Sequence, residues 1–212
     1  MQTKIIVVDD HALVRRGIVQ ILNEHPQICV VAEAGDYGQL RTALRAHPET
    51  ELLVMDVGLP GRNGIEILKV LREDAPKLRV LIVSMYPEDQ YAVRAFRAGA
   101  AGYLNKASAP EKLIEAVNQV INGRKFVTPE IAQALIENLN APEDVAPHEK
   151  LSDREFQTLR LMASGKRLSD IAEALALSPK TVSVYRARIL EKMGMSNNAE
   201  LTHYAIKHGL VE

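Results

Sequence analysis

The chain contains no tryptophan and one cysteine, and only 4% of its 212 residues are aromatic. A single thiol excludes an internal disulfide framework. Cys29 lies inside the apolar run Ile28-Cys29-Val30-Val31 and reads as a small buried hydrophobe in a reducing, cytoplasmic compartment. No apolar run approaches the ~20 residues needed to span a bilayer, so no membrane partner is expected. The N-terminus enters a strand-like run directly, without the pattern of a signal peptide. Strong charge of one sign is also lacking, because the net charge is −1. That total hides an asymmetry. Residues 148–212 carry 10 Lys and Arg against 8 Asp and Glu, whereas residues 1–147 carry 16 against 19. A C-terminal part so mildly basic does not establish nucleic-acid binding by charge, and pattern has to carry that case.

What the chain has is alternation. Short apolar runs at 4–8, 28–32, 52–55, 79–84 and 101–104 are followed by amphipathic stretches at about 12–24, 37–46, 64–73, 88–98 and 110–122. This predicts βαβ units with right-handed crossovers, hence an α/β domain with a doubly wound parallel sheet and helices on both faces. The segment 123–149 changes character. It holds Pro129, Pro142 and Pro147, and acids (Glu137, Glu143, Asp144, Glu149) crowd its second half. A short helix at about 129–139 followed by a flexible linker is expected there.

Residues 151–208 show helical periodicity only. Ser152 and Glu155 form a capping box for a first helix. A second runs from Leu168 to Ala176. Ser178 and Pro179, an N-cap and a first-turn proline, open a third that reaches about Met193 and stops at Gly194. A fourth spans about Asn197 to Lys207 before Gly209. The short turn Ala176-Leu177-Ser178 between the second and third matches a helix-turn-helix. The expected organisation is therefore an α/β domain over 1–124, a linker with a short helix over 125–149, and an all-α domain over 150–212.

Chemistry collects where the apolar runs end. Asp9 and Asp10 close the first, Asp56 the third and Ser84 the fourth, and Lys106 follows the fifth. In an open α/β sheet these are the positions that face a ligand. A lone aspartate at a strand end usually caps a turn, and a lone lysine is usually a surface cation. Together they make a site for a divalent cation and a phosphoryl group. Three carboxylates side by side are unfavourable without a cation, and hard oxygen donors suit Mg²⁺.

The motifs Val7-Val8-Asp9-Asp10-His11, Met55-Asp56-Val57-Gly58-Leu59-Pro60-Gly61-Arg62-Asn63-Gly64, Ser84 and Tyr103-Leu104-Asn105-Lys106-Ala107-Ser108-Ala109-Pro110 resemble a response-regulator receiver domain over residues 4–122. The resemblance implies a flavodoxin-like, five-stranded sheet of order 2-1-3-4-5. It implies that Asp56 accepts a phosphoryl group from a sensor histidine kinase, with Lys106 and Ser84 acting on the transferred oxygens. It implies Mg²⁺ held by Asp10, Asp56 and the carbonyl of Gly58, with Asp9 acting through water. Ser84 and Tyr103 would be the switch pair, the hydroxyl moving toward the phosphoryl group and leaving room for the ring.

Leu151-Ser152-Asp153-Arg154-Glu155 and Leu175-Ala176-Leu177-Ser178-Pro179-Lys180-Thr181-Val182 resemble the tetrahelical helix-turn-helix of the NarL/FixJ (LuxR-type) regulators. Val182 to Arg186 and Glu200 to Leu210 are similar to the GacA/UvrY-like branch. A helical wheel puts Val182, Tyr185, Ile189 and Met193 on a core face. It leaves Lys180, Thr181, Ser183, Val184, Ala187 and Arg188 for DNA, and Arg186 at the core edge. The resemblance implies binding of double-stranded promoter DNA as a homodimer, joined through Leu201, Tyr204 and Ala205, with RNA polymerase as a further partner.

The expected function is a phosphorylation-activated transcriptional regulator rather than an enzyme. A phosphorylation-independent, ligand-responsive LuxR-type regulator is the rival, and the intact acid pocket argues against it. An aspartyl-phosphate enzyme would need a substrate site that no motif supplies. A stand-alone receiver would not carry the C-terminal helices.

Overall fold

The computed structural model describes residues 2–139 and 146–211. The chain forms two compact units, Met1–Leu139 and Asn140–Glu212. The first contains β1 (Thr3–Val8), α1 (Ala12–Asn23), β2 (Ile28–Ala34), α2 (Tyr37–Ala46), β3 (Leu52–Met55), α3 (Gly64–Asp74), β4 (Arg79–Ser84), α4 (Glu88–Ala98), β5 (Gly102–Asn105), α5 (Ala109–Ile121) and α6 (Pro129–Leu139). The strands form one parallel sheet of order β2-β1-β3-β4-β5.

The alternation in sequence explains this arrangement. Successive strand residues point to opposite faces. Ile5, Val7, Leu52, Val54, Leu81 and Val83 join Ile18 and Leu22 of α1 and Leu113, Val117 and Val120 of α5 in one buried cluster. Ile6, Val8, Leu53, Met55 and Ile82 alternate with them and are equally buried. Both faces are covered, which is why the strands read as continuous apolar runs.

The expected boundary at 124 is corrected. Phe126 is buried, pairs with Gly102 as an isolated bridge and donates its N–H to Ala101 O at 3.0 Å. Thr128 is buried as well, and α6 packs against α4. The stretch read as the start of a linker thus completes the first unit. The stretch expected to be flexible, including Pro142, Glu143 and Asp144, lies outside the described residues.

The second unit contains α7 (Asp153–Ala163), α8 (Leu168–Ala174), α9 (Pro179–Met193) and α10 (Asn198–Lys207). The capping box at α7 is formed in both directions. The turn between α8 and α9 is a Schellman motif. Leu177 N donates to Ala172 O at 2.8 Å, and Ala176 N donates to Glu173 O at 3.0 Å. Ala176 takes the left-handed position of this motif with φ 51°, although it is not glycine. Among the described residues, no helix is long and apolar enough to cross a membrane.

Candidate functional site

Because the strands are parallel, their C-terminal ends lie on one edge. The order β2-β1-β3 places the switch of winding direction between β1 and β3. Asp9 follows β1, Asp56 follows β3, Ser84 ends β4, and Lys106 follows β5. Backbone bonds fix the first two: Asp9 N donates to Ala34 O at 3.0 Å, and Asp56 N to Val8 O at 2.9 Å. Gly64 opens α3 directly beneath this edge. A Cβ there would stand 2.2 Å from the Asp56 carbonyl oxygen and 2.9 Å from Val57 Cα. The buried Asn63 caps the same helix by accepting from Ile65 N at 2.7 Å.

The side chains converge. Lys106 Nζ donates to Asp56 Oδ2 at 2.7 Å. It also lies 2.6 Å from Asp9 Oδ2, an ionic contact off the hydrogen-bonding direction. Asp9, Asp56 and Lys106 are almost completely buried, whereas the Asp10 side chain is about one-third exposed. Asp56 Oδ1 is buried with no hydrogen-bond partner among the described residues. His11 N donates to Asp9 Oδ1 at 2.9 Å, and His11 Nδ1 lies 2.7 Å from Asp10 Oδ1. Arg15 reaches back to Asp9 O at 2.5 Å while its Nε holds Glu33. Arg15 and His11 were not singled out from sequence. Their positions one turn and one step beyond Asp10 are the only signal for them.

Burial holds the Asp9 carboxyl above its ordinary range, and the Asp56 charge adds to this while Lys106 opposes it. Burial alone would push the Lys106 ammonium down. The Asp56 and Asp9 carboxylates outweigh it and hold Lys106 above its ordinary value.

The donor set fits a hard divalent cation. Ligand atoms of Asp9, Asp10, His11 and Asp56 lie within 4.8 Å of one another. The unpartnered Asp56 Oδ1 is a carboxylate oxygen with capacity to spare, the kind of atom a cation would use. Gly58 keeps the carboxylate uncrowded, since even a Cβ there would come within 3.3 Å of Asp56 Oδ2.

Ser84 is fully buried, and its Oγ accepts from Tyr86 N at 3.4 Å. Tyr103 is fully buried, and its hydroxyl donates to Tyr86 O at 2.8 Å. Burial raises the phenol well above its ordinary range.

In the second unit the exposed face of α9 carries Lys180, Ser183, Val184, Ala187 and Arg188, with Thr181 partly covered. Val182, Ile189 and Met193 are core, and Tyr185 is intermediate. Thr181 is engaged locally, as its N–H donates to the Ser178 cap at 3.1 Å. Arg186 is not aimed outward. Its Nε donates to Asn198 Oδ1 at 2.7 Å and ties α9 to the start of α10.

The expected dimer residues need correction. Leu201 and Ala205 are fully buried where α10 packs on α7, and Tyr204 bonds His148 Nδ1 through its hydroxyl at 2.8 Å. Their periodicity marked an apolar face, but the module's own core covers it. The outward face of α10 holds Ala199, His203 and Ile206, the last 55% exposed.

Comparison with known proteins agrees with both units. Residues 5–118 match the family described as response regulator receiver domain, and residues 149–205 match bacterial regulatory proteins of the luxR family. The chain is 36% identical to response regulator GacA of Pseudomonas aeruginosa over 210 residues, covering 99% of this chain and 98% of that protein. It is 34% identical to response regulator UvrY of Escherichia coli K12 over 207 residues, covering 97% and 94%. Among solved structures it resembles RcsB of Salmonella enterica serovar Typhimurium, bound to promoter rprA in the presence of a phosphomimetic beryllium fluoride. There the TM-score is 0.65 at 26% identity, covering 96% of this chain and 98% of that one. It also resembles a LuxR-family two-component response regulator from Aurantimonas sp., with TM-score 0.59 at 38% identity over 66% of this chain and all of that one.

Proposed function

The chain belongs to the two-component response regulators that join a receiver domain to a LuxR-family DNA-binding domain, and from that premise we propose how its residues divide the work of a phosphorylation-dependent transcriptional regulator. Asp56 is the phosphoacceptor. One of its carboxylate oxygens attacks the phosphorus of a phosphohistidine on a sensor histidine kinase. The P–N bond breaks, the imidazole leaves with the bonding pair, and an acyl phosphate remains on Asp56. The observation that carries this reading is the pairing of buried Asp56 with Lys106 while Asp56 Oδ1 stays unpartnered. A buried carboxylate oxygen without a donor costs stability, which makes sense where a ligand completes it.

Asp10, Asp56 and the Gly58 carbonyl, with Asp9 behind, would hold Mg²⁺, which would supply charge neutralisation for the transferred oxygens. Lys106 neutralises the same oxygens from the end of β5. The Ser84 hydroxyl donates to one of them, and its movement would pull on the loop that carries Tyr86, from whose N–H it accepts.

In the second unit, Lys180 and Arg188 meet phosphates or guanine edges of double-stranded promoter DNA. Ser183 and Val184 face bases, with Thr181 and Ala187 alongside. A homodimer, formed through the outward face of α10 around Ala199 and Ile206, would read two half-sites. RNA polymerase is the downstream partner, and the setting is the cytoplasm.

The test is labelling by acetyl phosphate with Mg²⁺. Wild type should take up an acid-stable, base-labile phosphoryl group, and Asp56→Asn should take up none while retaining its fold by circular dichroism. Equal labelling of the two would end the assignment.

A further inference from the structure

Glu88 opens α4, where an acid is favourable near the helix N-terminus on general grounds. Its carboxylate nevertheless turns away to two partners outside α4. Oε1 accepts from Asn105 N at 3.0 Å, and Oε2 accepts from Thr128 Oγ1 at 2.7 Å. Asn105 is the last residue of β5 and precedes Lys106. Its own side chain holds the turn that carries Lys106 by accepting from Ala107 N at 2.9 Å. Thr128 precedes α6. It is buried, its hydroxyl accepts from Ile131 N at 3.3 Å, and its carbonyl accepts from Ala132 N at 2.9 Å. One carboxylate therefore joins the turn bearing the pocket lysine to the first turn of the helix that ends the first unit.

The loop before Glu88 is fastened to the same strand, since Tyr103 of β5 bonds Tyr86 O. The span from Ser84 to Glu88 is held to β5 at both Tyr86 and Glu88. A displacement at the pocket end cannot be absorbed there without disturbing one of these bonds. Both oxygens of Glu88 are used, so a shift at Asn105 alters the bond to Thr128.

We propose that Glu88 is a positioning residue that couples the Lys106 turn to the N-terminal turn of α6, so that filling the phosphoryl pocket changes the order of α6. The inference rests on the phosphoacceptor reading above. Thr128 is not one of the pocket residues and belongs to the first unit, which makes it the place to cut the connection. Thr128→Val removes the hydroxyl at nearly constant volume, and Thr128→Ser restores it.

The experiment is hydrogen exchange of the full chain, with and without Mg²⁺ and beryllium fluoride, in wild type and both variants. Binding of beryllium fluoride is followed separately by fluorine NMR. Wild type should change exchange at Ile131 and Ala132 on loading, by roughly tenfold, the equilibrium worth of one hydrogen bond to a charged acceptor. Thr128→Val should still bind beryllium fluoride but lose that response, and Thr128→Ser should regain it. A full response in Thr128→Val overturns the coupling, as does a loaded wild type whose α6 does not respond. If Thr128→Val fails to fold, Glu88→Gln replaces it, with the same response expected to be lost and its retention overturning the coupling. Failure of wild type to bind beryllium fluoride would instead overturn the phosphoacceptor reading, so the two failures are distinct.

Discussion

Lys106 Nζ donates to Asp56 Oδ2 at 2.7 Å and stands equally close to Asp9. The lysine thus occupies, as a cation, the same acid cluster that a divalent metal would enter. A metal there would compete with the lysine for negative charge, and the two would cooperate only when a phosphoryl group brought more of it.

Lys106→Met should therefore tighten Mg²⁺ binding while slowing phosphoryl uptake. Removing one positive charge within about 4 Å of the metal position is worth on the order of 1 kcal/mol or more, or at least several-fold in affinity. Calorimetric Mg²⁺ titration and acetyl phosphate labelling read the two effects. Weaker Mg²⁺ binding in the variant would contradict the competition.

On α9, Lys180→Ala and Arg188→Ala should weaken binding to an operator and to random DNA alike. Each should lower the salt slope by about one where the cation meets a phosphate. Val184→Ala should instead change sequence preference, by roughly 1–3 kcal/mol at the contacted base pair. Binding isotherms across a salt series separate the two behaviours, and three wild-type curves would remove α9 from the groove.

Glu155 predicts a pH dependence. Its carboxylate is buried, which alone would raise its pKa. The Lys192 ammonium at 2.6 Å and the Ser152 donors overcome this and hold it below the ordinary 4.5. A depressed carboxyl contributes stability that is present above the ordinary value and is lost as pH falls through the folded one. Glu155→Gln keeps an amide oxygen that can accept from Ser152 N but loses the charge facing Lys192, and should cost up to about 1 kcal/mol near neutrality. It should also flatten the acid limb of the second unit's stability against urea, followed through exchange of the α7 amides. An unchanged acid limb would show that the capping box carries no charge-dependent stability.

Ala176 offers a gain. Its φ of 51° costs an L-residue roughly 1 kcal/mol, and glycine escapes this strain at some entropic expense in the unfolded chain. Ala176→Gly should leave the melting temperature unchanged or raise it by a few degrees, and should not alter DNA affinity. A clear fall in melting temperature would show that the Schellman turn tolerates the methyl without strain.

Much of this architecture was legible in the chain because it is local. Apolar runs that end in Asp9, Asp56 and Ser84 announce strands and the chemistry at their ends together. Ser152 with Glu155, Ser178 with Pro179, and Gly194 each mark a helix end within a few residues. What escaped depends on who covers whom. Phe126 and Thr128 look like the start of a linker until Gly102 and Glu88 meet them across the fold. Leu201 and Ala205 show an apolar stripe, but periodicity does not say whether a second copy or α7 lies on it. The ring of Tyr103 could be assigned to the core or to a switch, and only the packing around Tyr86 shows it seated. The Glu88–Thr128 bond joins residues 40 apart and carries no sequence signal.

Gly64 has a consequence for inheritance. The space above its Cα is taken by the backbone of Asp56 and Val57, which cannot swing aside as a side chain would. Any codon change that gives position 64 a side chain must move the peptide that carries Asp56. Such alleles would score as signalling-dead in a genetic screen, although Gly64 has no side chain to offer a phosphate, a metal or DNA. A map of loss-of-function alleles would thus mark Gly64 beside Asp56, and a reader of that map alone would mistake a spacer for a participant.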